Sequence, residues 1–209
     1  MSNDQFCDNC RPEPGKLVKV IRDRDGETRC TDCDRLILTN ITPVKEITDM
    51  SKPQYYLSIA EAVAKRSKCL SRQIGAVIVK NDAIISTGFN GPPRGIPHCG
   101  KERLKVDSTL TVIKSDRCPR KVLGFNSSEG LEYCPATHAE ANAIVQAAKS
   151  GVSTDRATMY LTCGVPCKSC LGLIINSGID TVYCTSKDLY DDISKYIAEY
   201  SGIMFRSYD

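Results

Sequence analysis

Two short motifs constrain this chain more than any other feature of its sequence. The first places His138 two residues before Glu140, and the second, Pro-Cys-Lys-Ser-Cys, supplies Cys167 and Cys170. One imidazole and two thiolates give a zinc ion three protein ligands and leave its fourth position open for water, which distinguishes catalytic from structural zinc sites. Together the motifs predict a catalytic zinc centre with a carboxylate beside it.

The local sequence predicts that each motif lies at the start of a helix. An alanine-rich run from His138 to Lys149 favours one helix, and Pro166 suits the first position of the next. Cys167 and Cys170 would then share one face of a first turn, where the helix N-terminus favours thiolates. The combination H-x-E and P-C-x-x-C is typical of zinc-dependent nucleobase deaminases, whose glutamate acts as general acid and base. Either motif alone is common, and a lone C-x-x-C more often binds structural zinc or acts as a redox dithiol.

Composition limits the function classes. The 209 residues, 41% of them hydrophobic, are enough for one sizeable core and a small appendage. No apolar run approaches the ~18 residues that cross a bilayer, and the polar N-terminal segment is unlike a signal peptide. Twelve cysteines in this context favour reduced, metal-binding thiols, so we expect a cytoplasmic protein without a membrane partner. The net charge of +3 gives no argument for nucleic acid.

The N-terminal segment, residues 1–41, is predicted to form a separate zinc ribbon, followed by a linker over residues 42–54. Its two C-x-x-C pairs have the spacing of a four-cysteine zinc site, made of Cys7, Cys10, Cys30 and Cys33. Because so small a unit lacks a sufficient apolar core, structural zinc explains these cysteines, with a redox dithiol pair as the alternative. Between the pairs, residues 16–21 have β character and Asp25-Gly26 favours a tight turn. The net charge of −1 over residues 1–40 favours docking or stabilisation over DNA binding.

The remainder, residues 55–209, alternates strands with helices. A helical stripe runs through Tyr55–Ser67, and an Asn81-Asp82 turn joins apolar strands at residues 74–80 and 83–88. After the helix at His138, the pattern predicts strand, helix, strand, helix and strand. This alternation indicates a layered α/β domain with helices on both faces of one sheet.

The stretch from Phe89 to Tyr133 shows no sustained period and is rich in Gly, Pro and Ser, which is typical of functional loops. Within it, residues 94–121 carry eight Lys or Arg against three Asp or Glu. This excess is either an ordinary solvated loop or an attractor for nucleotide phosphates, from a substrate or an effector. Arg94 is the candidate for the substrate phosphate.

Four stretches give the chain a specific resemblance: SKCLSRQIGAVIV (67–79), IISTGFNGPPRG (84–95), HAEANAI (138–144) and PCKSC (166–170). On these stretches, residues 55–206 resemble the deoxycytidylate (dCMP) deaminase family. The second stretch separates this family from other zinc deaminases, and the N-terminal ribbon is an addition to the usual pattern. The resemblance implies a three-layer α/β/α cytidine deaminase-like domain with a central mixed five-stranded sheet.

The resemblance also implies roles for individual residues. His138, Cys167 and Cys170 would be zinc ligands, with Glu140 as the proton shuttle. Substrate contacts are implied for Asn90, near the sugar, and for Ala139. The family usually has tyrosine where Phe89 stands, so a hydroxyl contact is missing there.

The activity implied by the resemblance is hydrolytic deamination of dCMP to dUMP, with release of ammonia, which supplies dUMP for dTMP synthesis. Activation by dCTP, inhibition by dTTP and a homohexamer are implied as well. Two alternatives stay open: a deaminase that acts on cytosine in single-stranded nucleic acid or on another nucleotide, and a non-catalytic zinc-binding scaffold. The absence of tryptophan disfavours the nucleic-acid substrate, and the presence of Glu140 disfavours the scaffold.

Two further cysteine features depart from or extend the family pattern. The segment TCGVPC is one residue longer than usual, and we expect its Cys163 to point away from the metal as a small buried thiol. The resemblance also implies a second, structural zinc in the core, with scattered free cysteines as the alternative. Its ligands would come from Cys69, Cys99 and Cys134, with His98 or Cys118 as the fourth.

Overall fold

The computed structural model divides the chain into two compact units, residues 1–49 and 50–209. It describes residues 20–22, 28–30 and 36–37 of the first unit, and residues 50–107, 117–126, 129–188 and 191–208 of the second. Statements about the structure below refer to these residues.

The first unit contains a small antiparallel sheet. Its strands, in the order β1-β2-β3, are Val20–Arg22, Thr28–Cys30 and Leu36–Ile37. The predicted Asp25-Gly26 turn falls between the antiparallel strands β1 and β2 but lies outside the described residues. So do Cys7, Cys10 and Cys33, and therefore the zinc ribbon stays a prediction.

The second unit opens with a helix and a hairpin. Helix α1 (Lys52–Ala64) begins three residues before the predicted Tyr55, because Pro53 is tolerated in a first turn, where its missing N–H costs no hydrogen bond. Strands β4 (Gly75–Lys80) and β5 (Ala83–Phe89) form the predicted hairpin. Asn81 and Asp82 make its turn with φ values of 51° and 60°, as tight hairpin turns require.

The chain then passes through short elements and returns to regular alternation. Two four-residue helices, α2 (Lys101–Leu104) and α3 (Pro119–Val122), and a 3-10 turn at Leu131–Tyr133 occupy the irregular stretch. The regular elements that follow are α4 (Ala139–Lys149), β6 (Thr158–Leu161), α5 (Lys168–Asn176), β7 (Thr181–Tyr183), α6 (Asp192–Ser201) and β8 (Met204–Arg206). Among the described residues, no helix combines the length and the apolar character needed to cross a bilayer.

The sheet of the second unit confirms the predicted fold class. Its five strands lie in the order β5-β4-β6-β7-β8. Strand β4 pairs antiparallel with both β5 and β6, whereas β7 is parallel to both β6 and β8. The sheet is therefore mixed, as expected.

Alternation along β4 gives the sheet two apolar faces. Ala76 and Ile78 belong to one buried cluster, which includes Ala143 of α4 and Ile174 of α5. Val77 and Val79 belong to a second cluster, with Tyr56 and Ala60 of α1 and Tyr160 of β6. Since successive side chains of a strand point to opposite faces, the helices cover both sides, and the unit has three layers.

Helix α4 lies unusually close to β5. A Cβ atom added to Gly88 would overlap backbone atoms of Ala139 and Ala143. Two side chains also join the elements, since Ser86 Oγ donates to Ala143 O at 2.6 Å and Asn142 Nδ2 donates to Phe89 O at 2.8 Å. The first turn of α4 is therefore fixed relative to the end of β5.

We predict that Gly88→Ala destabilises the protein, because the added methyl group cannot be accommodated without moving α4 off the sheet. Overpacking of this kind costs about 1–3 kcal/mol. Gly172→Ala is the matched control, since no atom lies within 4 Å of a Cβ built at that position in α5. Urea denaturation measures both variants; equal midpoints for Gly88→Ala and the wild type would contradict the tight contact.

Candidate metal and catalytic site

The structure brings together the three predicted zinc ligands of the core. His138 is the residue that precedes α4, Cys167 precedes α5, and Cys170 lies in the first turn of α5. The Nδ1 atom of His138 is 3.5 Å from Cys167 Sγ and 3.4 Å from Cys170 Sγ. All three ligand atoms lie within 4.8 Å of one another. One ion can therefore reach all three.

The two helix starts differ from the prediction in one detail. Pro166 lies before the capping residue Cys167, and α5 itself begins at Lys168. The prediction that Pro166 is the first helical residue was therefore wrong. Cys167 has extended backbone angles that let its side chain lean toward His138, and neither residue caps its helix by a side-chain hydrogen bond. The imidazole and the thiol thus stay available as ligands.

The electrostatics of this trio suit a divalent cation. A hydrogen bond shared with Cys170, and next the neighbouring His138, lower the pKa of Cys167. The same sulfur–sulfur hydrogen bond, with burial, raises the pKa of Cys170. The hydrogen bond with Cys167 raises the pKa of His138. The pKa values of the two thiols thus shift in opposite directions. A zinc ion would stabilise both as thiolates, so this donor set of one imidazole and two thiols fits zinc.

Glu140 lies beside this trio and is almost completely buried, with 4% of its surface exposed. Burial is the main cause that raises the pKa of its carboxyl group, while the positive charge of His138 acts in the opposite direction. A buried carboxyl group with a raised pKa, next to a metal-ligand set, suits general acid–base chemistry.

Cys163 lines the same cavity but is not one of the three clustered ligands. Burial, and next the charge of Glu140, raise the pKa of its thiol to about 12. The side chain packs against the main apolar cluster. Cys163 is therefore a neutral thiol at neutral pH. It lies outside the ligand cluster, as expected, but it is partly buried and not the fully buried thiol of the prediction.

A cavity of about 130 Å³, which we call the main cavity, opens over the trio. Glu140, Ala139 and Asn90 line it, as predicted for catalytic and substrate-binding residues. Arg94 does not line it; its side chain is exposed on the loop that follows Gly91. The predicted second-metal residues all line the main cavity: Cys69, His98, Cys99, Cys118 and Cys134.

The second-metal residues do not form a preorganised site. Within the described ranges, the only group of three or more ligand atoms within 4.8 Å is the one at His138. Cys99 instead receives a long hydrogen bond from Arg103 Nη1 at 3.6 Å, and burial raises the pKa of its thiol. The second core zinc therefore stays a prediction.

Asn90 connects the walls of the main cavity. Its Oδ1 accepts from the backbone N–H of Ile74 at 2.8 Å, and its Nδ2 donates to the carbonyl of Arg72 at 2.9 Å. Its own carbonyl accepts from Ser67 Oγ at 2.7 Å. Next to it, Gly91 exchanges two backbone hydrogen bonds with Thr137, the residue before His138. One N–H and one lone pair of the Asn90 amide remain for a ligand.

Sequence reasoning missed two arginines of this cavity, Arg72 and Arg120. Arg72 falls inside the SKCLSRQIGAVIV stretch, but no spacing rule singles it out. Arg120 belongs to the loop with excess positive charge, yet that excess is spread over residues 94–121 and does not indicate which cation faces the cavity.

Fold and site together define a class of protein: a zinc-site α/β/α domain in which H-x-E and C-x-x-C begin two neighbouring helices. The family follows from comparison with known proteins. Residues 50–186 match the family described as "Cytidine and deoxycytidylate deaminase zinc-binding region". The chain belongs to this family.

Two relatives named deoxycytidylate deaminase show the extent of the similarity. The protein from Schizosaccharomyces pombe is 31% identical over 155 residues, which cover 74% of this chain and 43% of the relative. The protein from Mycobacterium phage D29 is 36% identical over 141 residues, which cover 64% of this chain and 95% of the relative. The chain thus spans less than half of the fungal protein and nearly all of the phage protein.

A solved structure supports the fold. The crystal structure of dCMP deaminase from the cyanophage S-TIM5, in complex with dCMP and dUMP, superposes with a TM-score of 0.52 and 25% identity. The similarity covers 73% of this chain and 93% of the cyanophage chain.

We predict that Cys170→Ala removes one equivalent of zinc relative to the wild type, because two remaining ligands hold the ion poorly. Cys163→Ala is the matched control: it removes a neighbouring, partly buried thiol and should leave the zinc content unchanged. Elemental analysis of protein purified without chelators, with circular dichroism to check folding, makes the comparison. Equal losses from both variants would contradict the assignment of the ligands.

Proposed function

We propose that this protein catalyses the hydrolytic deamination of dCMP: one water is consumed, and dUMP and ammonia are formed. The observation that carries the proposal is the buried carboxyl group of Glu140 beside the His138, Cys167 and Cys170 donor set, at the base of a cavity in a member of this family. Similarity to deoxycytidylate deaminases, including one that the chain covers almost completely, supports dCMP as the substrate.

Glu140 would perform the proton transfers. A bound zinc ion supplies the Lewis-acid chemistry that activates water for attack on C4 of cytosine. The Glu140 carboxylate accepts a proton from that water and delivers it to N3 of the ring. A second proton then reaches the amino group through Glu140, so that nitrogen leaves as ammonia. The raised pKa of Glu140 suits both directions of transfer.

Substrate contacts are proposed for Asn90 and Ala139, which line the main cavity close to Glu140. The remaining N–H and lone pair of the Asn90 amide suit a sugar hydroxyl group. The backbone of Ala139, at the start of α4, adjoins both His138 and Glu140 and suits the edge of the base.

We predict that Glu140→Gln lowers kcat for dCMP by about 10²–10⁴-fold, the usual contribution of a general acid or base. Zinc content should be unchanged, because Glu140 is not among the clustered ligands. Ammonia release is measured from dCMP, dCTP, cytidine, CMP and a cytosine-containing oligonucleotide in parallel.

The same substrate panel decides between the proposal and its alternatives. Turnover of dCMP that disappears in Glu140→Gln supports the proposal. Activity confined to the oligonucleotide would replace dCMP with single-stranded nucleic acid as the substrate. No ammonia from any substrate, with dCTP also tested as an activator, would favour a non-catalytic zinc-binding scaffold.

The proposed domain organisation is a zinc ribbon at residues 1–41, a linker at 42–54 and a catalytic domain at 55–209. The ribbon zinc is supported by its two C-x-x-C pairs, and a further core zinc by the thiols that line the main cavity. The same elemental analysis tests both: Cys30→Ser and Cys99→Ser should each lose one equivalent of zinc. A variant that retains the wild-type content removes the corresponding zinc from the proposal.

We also propose a homohexamer that dCTP activates and dTTP inhibits. The support is the resemblance of the GFNG stretch, Gly88–Gly91, to the family segment near which such effectors bind at subunit boundaries. Light scattering gives the molar mass in solution, and a monomer would contradict the assembly.

Initial-rate curves for dCMP test the regulation. We predict that dCTP shifts the curve to lower dCMP concentrations and that dTTP shifts it to higher ones, since each would stabilise a different state of the assembly. ATP, with the same number of phosphates, is the control for nonspecific charge effects. Curves that neither pyrimidine nucleotide moves would rule out the regulation.

The proposed location is the cytoplasm, because the cysteine-rich sequence requires reduced thiols for zinc binding. Cell fractionation tests this location, and recovery of the protein in an oxidising compartment would contradict it.

A further inference from the structure

A second cavity adjoins the main cavity on its basic side. It measures about 200 Å³ and is lined by Ser71, Arg72, Arg120, Lys121, Phe125 and Asn126. Three of these residues, Ser71, Arg72 and Arg120, also line the main cavity. We call this second cavity the arginine recess. Because the two spaces share a wall, one ligand can occupy both.

Hydrogen bonds to neutral groups hold the guanidinium group of Arg120 in place. Its Nε donates to the carbonyl of Glu129 at 2.5 Å, and its Nη2 donates to the carbonyl of Asn126 at 2.8 Å. Both acceptors are neutral backbone groups. The Glu129 carboxylate instead accepts from the N–H of Asn126 at 2.8 Å. The guanidinium group is therefore oriented, half-buried and free of an opposing carboxylate among the described residues.

Arg72 is the second arginine that lines the recess. Its backbone carbonyl accepts from Asn90 Nδ2, so the residue is tied to the predicted substrate-binding asparagine. No ion pair within the described part of the chain involves Arg72 or Lys121. The recess therefore gathers three cations, none of which forms an ion pair with a carboxylate of the described ranges. Arg94, the phosphate ligand predicted from sequence, lines neither cavity.

We propose that the arginine recess binds the phosphate group of the nucleotide substrate, while the base lies in the main cavity at Glu140. This assignment rests on the proposed function and replaces Arg94 with Arg72 and Arg120. Guanidinium groups offer paired N–H donors that match phosphate oxygens, and the hydrogen bonds of Arg120 to two carbonyl groups orient its guanidinium group in advance. The recess thus selects nucleotides over nucleosides.

Arg72→Gln is the main test, because the Arg72 side chain holds no described element in place. Loss of one charge-assisted contact should weaken dCMP binding by about 10–100-fold. Deoxycytidine has no phosphate, so its kcat/KM should be unchanged. Arg72→Lys keeps the charge but not the paired donors, and an intermediate effect is expected. Arg66→Gln is the matched control, since Arg66 is exposed and lines neither cavity.

Two measurements make the test, and the first is independent of turnover. The Kd for dCMP is determined by calorimetry with zinc-loaded Glu140→Gln protein that also carries Arg72→Gln, Arg72→Lys or Arg66→Gln. In the wild-type background, kcat/KM is compared for dCMP and deoxycytidine. Lys121→Met is a second variant, because the Lys121 side chain also lines the recess. It removes none of the hydrogen bonds that hold the loop, and it should also weaken dCMP binding.

The inference is overturned if Arg72→Gln and Lys121→Met bind dCMP as tightly as Arg66→Gln does, or if Arg94→Gln alone causes the loss. It is also overturned if Arg72→Gln weakens dCMP and deoxycytidine equally, since Arg72 would then support the cavity rather than the phosphate. Tight, Arg72-dependent binding of dCMP without release of ammonia by the wild type would contradict the proposed reaction and leave the recess as a nucleotide-phosphate site.

Discussion

The architecture depends on two places where a helix lies against the sheet without an intervening side chain. Gly88 of β5 meets the backbone of α4, and Gly75 of β4 meets the backbone of α1 at Ala60 and Ala64. The helices belong to the two buried clusters on opposite faces. These contacts fix the distance between each helix and the sheet. For α4, this distance determines the position of Glu140. A methyl group at Gly88 would push α4 away from the sheet and would move the Glu140 carboxyl group away from Cys167 and Cys170.

Hydrogen bonds between the loops next to α4 are a second constraint. Asn90 uses its amide to hold Ile74 and Arg72, and Gly91 is paired with Thr137 immediately before His138. The hairpin, the segment after α1 and the metal-ligand segment therefore form one hydrogen-bonded unit. Asn90 would then have two roles. Its side chain would contact the sugar, and it also positions Arg72, which is proposed for the phosphate.

Much of this arrangement could be predicted from sequence because it depends on local rules. The hairpin at Asn81-Asp82, the layered α/β order and the convergence of His138, Cys167 and Cys170 follow from turn chemistry, alternation and ligand spacing, whereas the mixed five-stranded sheet was implied by the family resemblance. The roles of Arg72 and Arg120 could not be predicted in this way, because their proximity depends on a loop whose path no periodicity determines. Arg94 illustrates the limit: the excess charge of the loop made it a candidate for the phosphate, but charge alone does not indicate which cation lines the main cavity, and Arg94 is exposed and does not.

The main cavity and the arginine recess differ in electrostatic character, and the difference follows from burial. At one end, Glu140 is almost completely buried, and this burial raises the pKa of its carboxyl group. At the other end, Arg72 and Lys121 are exposed, and the guanidinium group of Arg120 donates to two backbone carbonyl groups. A nucleotide with a neutral base and an anionic phosphate fits this polarity in one orientation only. Under the proposed function, that orientation would bring the base to the carboxyl group of Glu140.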